Sequence, residues 1–312
     1  MKNAAFMKSI LLAFLAFNLS LAFSVSRASA EDADVDEEIA NRDPVGLDLA
    51  QLKQIQKHQT SRQCPGDYKN LFAQKTIRIS MFNGYQNFDD KTQDSLRAKA
   101  MTASLLKKCE GGLEACGFKL LKNSRLIIRL EKDLNGKKVV LNIFNTSISD
   151  NNFDTMSASD LRDQQARVSA EVKNRFYKEL VNSDVVFYSG HSRYGAGLGF
   201  DIQDPIPTLF NIVTRLPYRP ILAALAQKPS RLKMLGLFSC QSEKYYRAGI
   251  EAANPSISLL LTTADIWDME SEQAEIASLD SLLSQKCQND FVKTLVPEDE
   301  PQHIHIMKYI RH

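Results

Sequence analysis

The sequence predicts an α/β protein with a mainly parallel sheet covered by helices on both faces. Three observations carry this. The runs Val185 to Tyr188, Met234 to Phe238 and Ile257 to Leu261 are short and apolar without alternation, the pattern of strands buried on both sides. Stretches of helical composition separate them, and strands that alternate with helices pair in parallel. The 312 residues, 44% hydrophobic and 24% charged, suffice for one large core or two modest ones, which sets aside disordered and fibrous classes.

The chain opens with Lys2 and Lys8 before an apolar stretch, Ile10 to Phe23, and then Ala28-Ser29-Ala30, small residues where a signal peptidase reads. Residues 1–30 are therefore expected to be a cleaved secretory signal and the mature chain to be secreted or periplasmic. At ~1.5 Å per residue the apolar stretch reaches about 21 Å as a helix, short of a ~30 Å hydrocarbon core, so no stable membrane insertion is expected after cleavage. The formal charge is +2, and removing Lys2, Lys8 and Arg27 brings it to −1 (2 − 3). Such a balanced chain has no field to attract nucleic acid.

Residues 31–45 begin with Glu31, Asp32, Asp34, Asp36, Glu37 and Glu38 and read as a solvated acidic linker. Leu47, Leu49, Leu52 and Ile55 predict a helical lead-in within 46–70. One α/β domain is expected over 71–312. Thr76 to Phe82 alternates Ile77, Ile79 and Met81 with Arg78 and Ser80, the pattern of a strand with one wet face. Asp90 to Lys108 is helical by composition. Leu126 to Leu130 and Val139 to Phe144 flank Asn135-Gly136, a dipeptide that tolerates positive φ at both turn positions and so predicts a β-hairpin. Ser157 with Asp160 resembles a capping box, and Leu161, Val168, Val172, Phe176 and Leu180 form the apolar stripe of the following helix. Ile221 to Ala226, Tyr245 to Ala253 and Glu270 to Cys287 are the helices that separate or follow the buried strands.

Five cysteines in an exported chain cannot all pair. Cys64, Cys109, Cys116 and Cys287 allow two bridges in three connectivities and leave Cys240 over. The plain alternative is five buried, reduced thiols.

In parallel sheets ligands sit beyond the carboxyl ends of the strands. Two of those ends are chemically loaded: Tyr188-Ser189-Gly190-His191-Ser192 and Phe238-Ser239-Cys240-Gln241-Ser242. On neighbouring strands His191 and Cys240 would emerge side by side. An ordinary thiol with pKa ~8.5 is only about 3% thiolate at pH 7, so it needs an adjacent imidazole to take its proton, and the same imidazole can later protonate a leaving amine. The N–H groups of Ser192 and Cys240 could hold a developing oxyanion.

A strand ending in Ser-Gly-His, followed 49 positions later by a Cys in a strand ending Ser-Cys-Gln-Ser, resembles the caspase-like cysteine peptidases, the group that includes legumains, gingipains, metacaspases and CHAT domains. The likeness covers mainly Val181 to Asp265. It implies a three-layer α/β/α sandwich, with the Asn135-Gly136 hairpin as an addition to the family core. It also implies peptide-bond hydrolysis of a peptide or protein substrate, with Cys240 as nucleophile, His191 as general base and no cofactor or metal. By position, Phe238, Asp265 and Trp267 would shape the substrate pocket. Ser192 stands where relatives carry Gly, and Phe238 where metacaspases carry an acid and caspases a Gln, so no preference for a particular side chain is implied.

Two other functions use the same residues. One is a catalytically silent caspase-like module that binds or scaffolds. The other is a serine esterase of α/β-hydrolase type, since Gly190-His191-Ser192-Arg193-Tyr194 approaches the G-x-S-x-G elbow, with Asp265 and His303 or His305 as partners. Tyr194 is too large for that elbow, and the glycines and prolines that follow break a helix. Gly195-Ala196-Gly197-Leu198-Gly199 is expected to form a mobile flap over the cleft rather than a phosphate loop.

Overall fold

The computed structural model describes residues 62–85, 94–109, 113–148, 159–202, 211, 214–266 and 268–293. The signal, the acidic linker, Ser157, Trp267, His303 and His305 lie outside them, as does all of the lead-in segment before residue 62. Seven strands form one mixed sheet, β1 Thr76–Asn83, β2 Lys119–Asn123, β3 Ile127–Leu134, β4 Lys137–Asn145, β5 Val185–Ser189, β6 Met234–Phe238 and β7 Ser258–Leu261, in the order β2-β3-β4-β1-β5-β6-β7. The pairs from β4 through β7 are parallel, while β2–β3 and β3–β4 are antiparallel. The main helices are α1 Asp94–Leu106, α2 Ser159–Asn182, α3 Arg219–Leu225, α4 Ser242–Ala253, α5 Asp268–Leu283 and α6 Gln288–Lys293.

Alternation of side chains across the sheet builds two cores. Ile77, Ile79 and Met81 of β1 and Val185 and Phe187 of β5 pack with Ala98 and Met101 of α1 and Ile276 and Leu279 of α5. Phe82, Val186, Tyr188, Leu235 and Leu237 point the other way, onto Val172, Phe176 and Leu180 of α2 and the apolar sides of α3 and α4. Residues on both faces are buried, so the sheet is the middle of three layers, and truncating one of its central phenylalanines to Ala should cost about 3–5 kcal/mol. Among the described residues no helix is long and apolar enough to cross a membrane.

The hairpin forms where Asn135-Gly136 predicts it. Asn135 has φ 54° and Gly136 φ 76°, Leu134 pairs with Lys137, and the Asp133 carboxylate accepts the Gly136 N–H at 3.0 Å. Its second strand is also the parallel partner of β1.

Two local expectations change, and one strand was not anticipated. β1 has no wet face beyond Arg78: Ser80 is fully buried under α2, its hydroxyl 3.2 Å from Glu179 and 2.9 Å from the Ser183 hydroxyl. Ser80 is polar yet interior because its hydroxyl is satisfied there. Leu161, at the start of the α2 stripe, is 42% exposed, because the packed face begins further along the helix at Val168 and Val172. Finally, β2 is an exposed edge strand, Lys119-Leu120-Leu121-Lys122-Asn123, that carries no alternation to read.

Candidate active site

β5 and β6 are parallel neighbours, and their last register pair is Ser189 with Phe238. His191 and Cys240 each stand two residues beyond that pair, so the imidazole and the thiol leave the sheet from one end of two adjacent strands. Both residues are half-buried. Cys64 and Cys287 lie at an S–S distance of 2.01 Å and Cys109 and Cys116 at 2.15 Å, which leaves Cys240 outside any disulfide.

The turn that carries Cys240 is pinned on several sides. The Ser239 carbonyl accepts the Ser242 N–H at 3.1 Å and also the Thr262 hydroxyl, while the Ser242 hydroxyl donates to Leu237 O at 2.7 Å. Gln241 N–H donates to Ala264 O at 2.8 Å, and the Gln241 side-chain amide reaches the exposed Asp265 carboxylate at 3.1 Å. The sulfur lies 3.5 Å from the Ile266 carbonyl oxygen. Cys240 lies two residues before α4, separated from it by the N-cap residue Gln241.

The segment after His191 is held as firmly. The His191 carbonyl accepts the Tyr188 hydroxyl at 3.1 Å and the Gly199 N–H at 3.0 Å. The next carbonyl, that of Ser192, accepts the Tyr246 hydroxyl from α4 at 2.5 Å. Burial pushes both phenols far above their ordinary range, so they remain protonated donors across the whole working pH range. A trans peptide directs its N–H opposite to its carbonyl. The pinned carbonyls of His191 and Ser239 therefore turn the N–H groups of Ser192 and Cys240 away from their donors, the Tyr188 and Thr262 hydroxyls.

Left-handed backbone occurs at both of these places, as it does at Asn135, Arg215 and Gln285. Arg193 and Tyr194 have φ 45° and 51°, and Gln241, the residue after Cys240, has φ 50°. Each non-glycine residue in that region costs roughly 1–2 kcal/mol, and such residues concentrate at functional sites. Arg193 is held by an ion pair to Asp201 at 2.5 Å. Tyr194 is 64% exposed and meets Tyr245 edge-on at 6.5 Å between centroids.

The remaining candidates are placed as follows. Phe238 is fully buried, packed on Phe187 at 5.7 Å between centroids, and belongs to the core beneath the site. Asp265 is exposed beside the Cys240 turn. Ser192 is 3% exposed with φ −87°, and a 3-10 turn, Arg193–Gly195, follows it, where an esterase elbow needs a strained Ser and an immediate α-helix. The glycine-rich segment 195–199 is no flap: Ala196, Leu198 and Phe200 are buried, and Gly199 N–H also approaches the Tyr188 hydroxyl at 2.8 Å.

One buried cluster carries no motif. Beneath the end of β5, Arg97 of α1 donates through Nη2 to the hydroxyls of Ser189 at 2.9 Å and Ser271 at 3.3 Å, and through Nε to Glu272 at 3.4 Å. Glu275, one turn further along α5, is fully buried, and neither of its carboxyl oxygens has a hydrogen-bond partner among the described residues. Desolvation raises its pKa well above the usual carboxylate range, against the pull of Arg97, and the neighbouring Glu272 charge adds to the rise. Asp94 is likewise raised by burial, although it accepts from Thr146 at 2.7 Å and from the Ser147 N–H at 2.8 Å. The available sequence signal was an interruption of apolar stripes: Arg97 precedes Ala98 and Met101, and Glu272 and Glu275 share a helix side with Ile276 and Leu279.

No family model matches the chain, and no curated protein matches it in a sequence comparison.

Proposed function

We propose that the chain is an exported caspase-like cysteine peptidase in which Cys240 attacks a peptide carbonyl and His191 takes the thiol proton. The observation that carries the reading is the common departure of His191 and Cys240 from the paired end Ser189 and Phe238, with Cys240 the cysteine left outside disulfides. The N–H groups of Ser192 and Cys240, on peptides whose carbonyls are bonded on the opposite side, support an oxyanion site.

In the reaction, the sulfur bonds to the carbonyl carbon as its proton passes to the imidazole, and the carbonyl oxygen takes the negative charge. Collapse of that intermediate breaks the C–N bond, and the imidazolium protonates the departing amine. Water, deprotonated by His191, then attacks the thioester and releases the acid and the thiol. The substrate is a peptide or protein, with the exposed Asp265 beside the Cys240 turn as a candidate to meet it.

The test is hydrolysis of an unbiased peptide library by the full chain and two variants. Cys240→Ala is expected to abolish cleavage and Ser192→Ala to retain part of it. The reverse pattern would replace the peptidase with the serine esterase. If wild type and both variants bind a protein partner alike and cleave nothing, the chain is a silent binding module.

A further inference from the structure

We infer that Arg97 is the positioning residue of the dyad, the group that sets where the His191 end of β5 stands relative to the segment holding the Cys240 sulfur. The inference rests on the proposed thiol–imidazole chemistry. Its structural basis is a chain of contacts through one buried guanidinium.

On one side, Arg97 Nη2 donates to the hydroxyl of Ser189, the last residue of β5 and two positions before His191. On the other, the same nitrogen reaches Ser271, and Nε reaches Glu272, both at the beginning of α5. The lead-in to that helix includes Ile266, whose carbonyl lies 3.5 Å from the Cys240 sulfur. Ser189 and Ser271 also touch directly, hydroxyl to hydroxyl at 2.7 Å. The four residues are 4%, 0%, 2% and 3% exposed for Arg97, Ser189, Ser271 and Glu272, so water cannot substitute for a lost contact.

Stability alone gives little reason for this arrangement. A buried ion pair is on average no better for stability than well-packed apolar residues, because desolvation offsets its attraction. What it does provide is directionality. A guanidinium has donors fixed in one plane, so three acceptors on two elements are held at set angles, which neither an ammonium nor an apolar contact can do. A displacement of about 1 Å between reacting groups can cost as much as a hundredfold in rate.

The experiment measures the pH profile of Cys240 alkylation by iodoacetamide, which needs no substrate, in the full chain and in His191→Ala, Ser189→Ala and Arg97→Lys variants. Thermal midpoints are recorded in parallel. Ser189→Ala removes one acceptor and little volume, and Arg97→Lys retains the charge without the fork, so at least one of the two should fold. If Arg97 positions the dyad, both folded variants show the alkylation midpoint displaced about one pH unit toward the ~8.5 of an ordinary thiol, in the direction of His191→Ala. A purely structural cluster would lower the thermal midpoint and leave the profile where it is in wild type, and that result overturns the inference while the dyad stands. If His191→Ala itself leaves the profile unmoved, the dyad reading fails and takes the inference with it.

Discussion

The Tyr246 hydroxyl donates a hydrogen bond to the carbonyl of Ser192 at 2.5 Å, which ties the helix that follows Cys240 directly to the segment that follows His191. The two loaded strand ends are thus joined through α4 on one face of the sheet, while on the other Arg97 ties the end of β5 to α5. Tyr246→Phe removes one of two donors to the Ser192 carbonyl, which keeps the Gly195 N–H at 3.0 Å, a loss of about 0.5–1.5 kcal/mol. Kinetics of this variant should show kcat reduced and KM little changed, since the N–H on the neighbouring peptide loses its fixed direction.

Gly190 separates the paired end of β5 from His191 and lies at φ 153°. A Cβ there would stand 2.6 Å from the Tyr188 hydroxyl and 3.1 Å from Cα of Gly84. The Tyr188 ring cannot yield without giving up its bonds around His191 and Gly199. Gly190→Ala should therefore lose roughly 1–3 kcal/mol from strain and crowding, together with most of the activity, and denaturant titration beside peptide hydrolysis checks both.

Glu275 makes stability depend on pH. Its folded pKa lies well above its unfolded value, so the folded state holds a proton that the unfolded state has released. The contribution is fully present below the ordinary carboxylate pKa of ~4.3 and is lost as pH rises through the raised folded value. Thermal midpoints of wild type should fall with rising pH between ~4.3 and the raised folded value, while Glu275→Gln, neutral at every pH, should show a flatter curve over that window. An identical pH dependence in the two proteins would mean that Glu275 is not the group responsible.

The Cys64–Cys287 bridge joins positions 223 apart and ties the segment before β1 to the turn between α5 and α6. Cross-linking so long a loop restricts the unfolded chain, so Cys64→Ser with Cys287→Ser should cost about 2–5 kcal/mol. The denaturant midpoint of the double variant, compared with that of wild type under reductant, measures it. The bridge between Cys109 and Cys116 spans 7 positions and should matter less.

Much of this architecture was legible in the sequence, because burial on two faces writes itself as unbroken apolar runs. Val185 to Tyr188 and Met234 to Phe238 are such runs, and Asn135-Gly136 marks its turn by backbone tolerance alone. Pairing order was less accessible, since which strands become neighbours depends on contacts distant in the chain. Ser80 and Arg97 escaped for a common reason: each is a polar residue whose interior partner, Glu179 or Ser189, lies about a hundred positions away. The glycine-rich segment read as a loose flap because its anchors, the Tyr188 hydroxyl and the apolar side chains of Leu198 and Phe200, fix it only once the sheet has formed.

The central claim is that one thiol and one imidazole act as a unit. It is tested most directly by mass spectrometry of the chain after exposure to an electrophilic peptide ketone of broad side-chain composition. A single adduct on Cys240 is predicted, retained in Ser192→Ala and lost or slowed at least about a hundredfold in His191→Ala. An adduct on Ser192, or equal labelling of Cys240 with and without His191, would contradict the account.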